Sequence, residues 1–182
     1  ADEVLYPGST VKIMTCLLAL ENCQLTDEVT MTATGVSGVT DGGASIASQV
    51  DEVFTIEQCL YAIMVASAND IALQIAEHTG GSVEAFVQMM NDRATALGCT
   101  NTVFTNPTGL PDENQHTTAH DMALIMQAAI QSDAFRTIAA ATSYTIPATN
   151  KAAARNLTSK FTMTDTGNSG FYEGCIGGKE GY

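Results

Sequence analysis

Ser9-Thr10-Val11-Lys12 runs directly into Ile13-Met14-Thr15-Cys16-Leu17-Leu18-Ala19-Leu20, and Pro7-Gly8 breaks the chain just ahead of it. Residues 13–20 are apolar almost all round, the pattern of a helix buried on every side. Positions three apart share a helix face, so Ser9 and Lys12 project together from the base of that core helix. A serine hydroxyl is a weak nucleophile until a neighbouring group takes its proton. A lysine can be that group once burial lowers its pKa. Both residue types are common, and the same four residues also read as a polar helix start with a surface lysine.

The rest of the composition narrows the field. With 182 residues, 45% of them hydrophobic, the chain can bury a core and reads as one globular domain. Seven basic residues against twenty acidic ones, a formal charge of -13, leave no clustered cations for nucleic acid or an anionic membrane. No run of about 18 apolar residues encodes a membrane span, and Ala1-Asp2-Glu3 lacks the basic start of a signal peptide. Cys16, Cys23, Cys59, Cys99 and Cys175 form no CxxC pair and no Cys/His ligand cluster, so no metal is expected. Cys16 and Cys59 fall within apolar helical patterns and read as small core residues, and for an exported chain free thiols point to reducing surroundings. Lys151 and Lys160 read as solvated surface lysines.

Residues 25–34 alternate partly with β-branched types and 35–48 are rich in Gly, Ser and Thr, predicting short strands or loop. Thr55 with Gln58 is a capping-box start, and Ile56, Cys59, Leu60, Ile63 and Met64 keep a helical rhythm ending near Ala66. Further helices are expected from about Asp70 to His78, closed by Gly80-Gly81; from Ser82 to Gly98; from Thr118 through Met122, Ile125, Met126 and Ala129; and over residues 135–141. Asn106-Pro107-Thr108-Gly109-Leu110 is turn chemistry. Tyr144-Thr145-Ile146 and residues 171–176 read as strands, the second leading to Gly177-Gly178-Lys179. His116 and His120 have no carboxylate at a ligand spacing and read as structural or solvated, and His78 suits a helix C-terminus. The methionines at helical spacing read as core filling.

Two further polar sets are placed to do chemistry. Ser67-Ala68-Asn69 falls at a break between helices, where a hydroxyl and a carboxamide can be aimed into a cleft to shuttle a proton or hold an amide. Taken alone it is also an ordinary N-cap. Lys179-Glu180-Gly181, behind a glycine pair, offers a cation where backbone can approach a ligand. Alone it is also a surface turn.

Together, Ser-x-x-Lys, Ser-x-Asn and Lys-x-Gly in this order resemble the penicillin-recognising serine enzymes. The chain is most similar to the serine D-Ala-D-Ala carboxypeptidases of the low-molecular-mass penicillin-binding type. The likeness extends through Tyr6-Pro7-Gly8-Ser9-Thr10-Val11-Lys12-Ile13-Met14-Thr15, Ser67-Ala68-Asn69-Asp70, Gly80-Gly81-Ser82-Val83-Glu84-Ala85-Phe86, Asn106-Pro107-Thr108-Gly109-Leu110 and Thr118-Ala119-His120-Asp121-Met122-Ala123. The resemblance implies an α/β (α+β) fold, a helical cluster packed on an antiparallel sheet as in β-lactamases and DD-peptidases. It implies that Ser9 is acylated by the penultimate D-alanine carbonyl, with Lys12 taking the proton and Ser67 and Asn69 completing the network. Lys179, Glu180, Gly181 and Tyr182 fall at the substrate-binding positions, Lys179 facing the terminal carboxylate and the N–H groups of Ser9 and Tyr182 forming an oxyanion hole. No cofactor or metal is implied. The implied partners are peptidoglycan stem peptides ending in D-Ala-D-Ala, with β-lactams as inhibitors and no nucleic acid; the enzyme would act in the cell envelope or be secreted, with any membrane anchor outside this chain.

The chain departs from the family pattern in two places. The triplet usually carries Thr or Ser where Glu180 stands, and an ionised glutamate only accepts. Alternation along a strand would turn Glu180 away from the cleft that Lys179 and Gly181 face. The family also has strands before the Ser-x-x-Lys helix and after the Lys-x-Gly strand, so residues 1–182 are expected to be a partial catalytic domain with much of the sheet missing. Two other readings remain: a class A-like β-lactamase, with Glu113 in the region of its deacylating glutamate, and a penicillin-binding sensor that acylates without turnover.

Overall fold

The computed structural model describes residues 1–181. A one-turn 3-10 helix over Gly8–Val11 leads without a break into α1, Lys12–Asn22. Every residue of α1 from Lys12 to Ala19 is buried, as its all-apolar pattern requires. Around it stand α3 (Ile56–Ala66), α4 (Asn69–Gly80), α5 (Val83–Ala96), α6 (Ala119–Ala129) and α7 (Asp133–Ala139). α1 packs against α3, α4 and α6, so the helix that carries Lys12 is the centre of the core.

The helix starts follow from their capping residues. The Thr55 hydroxyl accepts the Gln58 N–H while the Gln58 side chain accepts the Thr55 N–H, a complete capping box for α3. Ser82, Thr118 and Ser132 cap α5, α6 and α7 in the same N3 manner. At the far end of α4, Gly81 takes a left-handed C-cap with φ of 79°.

Strands are few and antiparallel. β1 (Glu28–Thr30) pairs with β2 (Val53–Thr55), and β3 (Ser143–Ile146) pairs with β4 (Arg155–Thr158), which packs with β3 on α3. Among the described residues these are two separate two-stranded ladders, so the helical cluster dominates and the α+β expectation stands with little sheet. Glu52 and Arg155 tie the two ladders together by a buried ion pair at 2.7 Å.

Three expectations need correction. Residues 33–37 form a short helix, α2 (Ala33–Ser37), capped by Thr32 and packed on α4, where strand or loop was expected. β4 was not foreseen; Arg155 and Asn156 make its apolar content slight, and the neighbouring β3 supplies the pairing that stabilises it. Residues 171–176 are not a strand: their backbone bonds are local, from Phe171 to Asn168 and from Cys175 to Tyr172. Gly174 and Gly177 take φ of 86° and 141°, turns a ladder does not accommodate.

Candidate active site

The Ser-x-x-Lys pair is built at a change of helix type. Gly8 adopts a positive φ of 51°, Ser9 sits on the 3-10 turn, and Lys12 begins α1. Lys12 Nζ lies 3.2 Å from Ser9 Oγ. It also donates to Asn69 Oδ1 at 2.7 Å and to the Thr108 carbonyl at 2.5 Å. The side chain is fully buried. Desolvation, followed by the charge of Lys179, pulls its pKa down from 10.5 to about 7, against the opposing pull of Asp41, Cys16 and Glu180.

That environment decides what the amine can do. A neutral amine has two N–H donors and one lone pair. Asn69 Oδ1 and the Thr108 carbonyl take the two donors, which leaves the lone pair facing the Ser9 hydroxyl. The arrangement thus suits removal of the Ser9 proton.

Thr108 was missed as a contributor because it acts through its backbone. Asn106 Oδ1 accepts from the Thr108 N–H, the Thr108 hydroxyl and the Gly109 N–H, and this turn aims the Thr108 carbonyl at Lys12. Gly109 has φ of 85°, and a Cβ there would lie 2.0 Å from the Gly8 carbonyl. Only glycine lets the turn close on Gly8 and Ser9.

Ser67 and Asn69 straddle the α3–α4 junction, as the sequence predicts. Ser67 is the left-handed C-cap of α3 with φ of 59° and Asn69 is the first residue of α4. No side chain of the triplet caps α4, so the ordinary N-cap reading fails. Asn69 joins the Lys12 network, and its Nδ2 donates to Asp41 Oδ1 and Oδ2 at 3.2 and 3.0 Å.

Ser9, Ser67, Asn69, Lys179 and Glu180 line one cavity of about 320 Å³. Gly181 borders Ser9 instead: a Cβ on it would lie 3.2 Å from the Ser9 backbone nitrogen. Gly177 and Gly178 allow the approach of Lys179, since a Cβ on Gly177 would meet the Ala139 carbonyl at 2.5 Å and one on Gly178 would meet the Phe161 ring at 2.5 Å. Burial lowers the Lys179 pKa, with Glu180 opposing. Tyr182 lies outside the described residues.

Glu180 does not point away from the cleft. Lys179 Nζ donates to Glu180 Oε1 at 3.1 Å and to the Glu180 carbonyl at 2.8 Å, and Glu180 lines the same cavity. Strand alternation does not apply because residues 178–181 form no strand, and the ion pair draws the carboxylate toward the ammonium. Lys160 also lines this cavity although exposed, so its reading as a purely solvated lysine is too narrow. Among the described residues Glu113 lines two neighbouring grooves, with Tyr6 and either Gly109 or His116, and not the Ser9 cavity.

The D-alanyl-D-alanine carboxypeptidase model of peptidase family S11 matches residues 1–175. This chain belongs to that family. Among relatives of the carboxypeptidase family, DacF of Bacillus subtilis is 38% identical over 130 residues, 69% of this chain and 33% of that protein. DacB2 of Mycobacterium tuberculosis is 32% identical over 181 residues, 97% of this chain and 57% of that protein. The crystal structure of the Streptomyces K15 DD-transpeptidase superposes with a TM-score of 0.90 at 28% identity, covering all of this chain and 72% of that one. A D-alanyl-D-alanine carboxypeptidase structure from Mycobacterium tuberculosis gives 0.87 at 28% identity, covering all of this chain and 65% of that one. The chain thus spans between a third and three fifths of the length of these two curated relatives.

Proposed function

We propose that this carboxypeptidase-family chain carries the acylation centre of a serine D-Ala-D-Ala carboxypeptidase acting on peptidoglycan stem peptides. The observation that carries the reading is the buried Lys12 amine, 3.2 Å from Ser9 Oγ, with a pKa lowered to about 7. Ser9 Oγ attacks the carbonyl carbon of the penultimate D-alanine as Lys12 Nζ accepts its proton. The C–N bond to the terminal D-alanine then breaks, and a proton passed through Lys12 and Ser67 leaves with its amine. Water attacks the resulting ester, releases the shortened peptide and restores the Ser9 hydroxyl. Asn69 holds Lys12 through its amide oxygen, and Lys179 and Lys160 supply positive potential for the terminal carboxylate. The Ser9 N–H is an oxyanion donor; losing one such donor weakens catalysis by roughly 3 to 4 kcal/mol.

β-Lactams present a comparable acyl group and carboxylate, and they fit the same centre as inhibitors. Peptidoglycan lies outside the cytoplasmic membrane, which places the working enzyme in the envelope or secreted. Among the described residues no helix is long and apolar enough to cross a membrane. A β-lactamase reading loses its support with Glu113 away from the Ser9 cavity.

Incubation with diacetyl-Lys-D-Ala-D-Ala tests the reading, with release of D-alanine the expected result. Intact mass after penicillin treatment separates the alternatives: an adduct without D-alanine release marks a sensor, and rapid loss of adduct marks a β-lactamase. Absence of both D-alanine release and a penicillin adduct overturns the proposal.

A further inference from the structure

Asn69 is held at both ends of its amide. Its Oδ1 accepts from Lys12 Nζ at 2.7 Å, while its Nδ2 donates to both carboxylate oxygens of Asp41 at 3.2 and 3.0 Å. A carboxamide has one accepting and one donating end. Turned over, it would set a donor against the Lys12 N–H and an acceptor against the Asp41 carboxylate, losing both contacts. A carboxylate on the donating end therefore decides which atom meets the amine.

The loop that brings Asp41 there is shaped for close approach. Asp41 Oδ1 also accepts the Gly43 N–H at 2.8 Å, and the Asn69 N–H donates to the Ala44 carbonyl at 2.7 Å. A Cβ on Gly43 would lie 2.0 Å from Asn69 Nδ2, and one on Gly38 would lie 2.7 Å from the Asp70 nitrogen. Farther along, the fully buried Asp70 carboxylate accepts from the Ile46 and Ser48 N–H groups and from the Ser48 hydroxyl at 2.8 Å. Two glycines and one buried latch thus seat residues 38–48 over the start of α4.

The geometry points to Asp41 as a positioning residue for the acylation centre: it locks the Asn69 amide so that its oxygen, not its nitrogen, faces the Lys12 amine. The inference rests on the proposed acylation chemistry for its effect on rate. Asp41 has a second effect through charge. Lys12 faces Lys179, Glu180, the Cys16 thiol and Asp41; of these Asp41, Cys16 and Glu180 oppose the lowering imposed by burial and Lys179, Asp41 the most. Its carboxylate keeps the base protonatable near neutrality.

Asp41→Ala and Asp41→Asn separate the two effects. Acylation by a fluorescent penicillin is followed across the pH range on both sides of neutrality, and Lys12 is titrated in parallel by 13C-lysine NMR. Asp41→Ala should lose roughly tenfold to a hundredfold in acylation kcat/KM, the range of a hydrogen bond to a charged group. Asp41→Asn should keep most of the rate, because its Oδ1 still accepts from Asn69 Nδ2. In both variants the acid limb and the Lys12 midpoint should move to lower pH. Wild-type rates and midpoints in both variants overturn the proposal, as does an equal loss in both with an unmoved midpoint, which marks a merely structural loop. If the unaltered protein is not acylated at all, the enzymatic reading falls, and the Lys12 midpoint alone decides on Asp41.

Discussion

Lys179 Nζ lies 3.1 Å from Glu180 Oε1, so the cation we propose for the substrate carboxylate already has a carboxylate beside it. The other oxygen, Glu180 Oε2, is buried without a hydrogen-bond partner among the described residues. An anionic substrate end entering this cavity must compete with Glu180 for Lys179 and meet its like charge. Glu180→Thr should therefore raise kcat/KM for acylation by a penicillin by about tenfold, a change of about 1.4 kcal/mol. An unchanged rate by stopped-flow fluorescence would show that Glu180 does not contend with the substrate.

The lowered Lys12 pKa sets a pH dependence. The base must be neutral to take the Ser9 proton, so acylation should rise with pH up to about 7 and level above it. A profile that stays flat as pH is raised through neutrality would assign the proton to another group.

Lys12→Met removes the proposed base and should reduce acylation by roughly a hundredfold to ten-thousandfold. Stability should move the other way. The folded pKa is below the unfolded one, so the charged form is penalised on folding. The penalty is fully expressed below about pH 7, shrinks as pH rises, and vanishes above the unfolded pKa of 10.5. Urea melts should show Lys12→Met more stable at neutral pH and the difference closing toward pH 10.5.

Ser67 combines a reactive-looking hydroxyl with a left-handed backbone that a non-glycine residue adopts at a cost of about 1 to 3 kcal/mol. Ser67→Gly should raise Tm and slow acylation in the same protein. Ser67→Ala keeps the strain and should slow acylation without the gain. Equal melting temperatures for the two variants would remove the strain argument.

Glu52 is fully buried against Arg155 and also accepts from the Thr149 hydroxyl at 2.6 Å. Burial alone would raise its pKa, but the bonds from Arg155, Thr149 and the Gln49 N–H outweigh it and leave the pKa lowered. The stability it contributes is present above the unfolded carboxylate pKa and is lost as pH falls through the lower folded one. Arg155→Met leaves a buried carboxylate without its cation and should lower stability at neutral pH by about 3 kcal/mol, the Thr149 and Gln49 bonds remaining. The gap should narrow in acid; an equal gap at both pH values would point to lost packing.

Most of the helical scaffold was legible because its signals are local. The Thr55 and Gln58 box, the Ser82 cap and the Gly81 stop each state a helix end within four residues. Ser9, Lys12, Ser67 and Asn69 were legible as ordered motifs, and the structure brings Ser9, Lys12 and Asn69 into contact and sets Ser67 at their cavity. Asp41 and the Thr108 carbonyl were hidden for a different reason. One sits in a glycine-rich loop whose course is fixed by Asp70, and the other acts through a backbone atom that every residue possesses. Glu180 was misplaced because strand alternation was applied to residues that turn instead of pairing.

The partners of the Lys12 amine come from stretches 57 and 96 residues away along the chain, Asn69 and Thr108. Contacts that distant close large loops and tend to form late on a folding route. A reactive Ser9 is thus absent from any partly folded species in which α4 or the Asn106 turn is undocked. A penicillin-based label then becomes a counter of native molecules: added at intervals during refolding, it marks only those whose distant segments have all arrived.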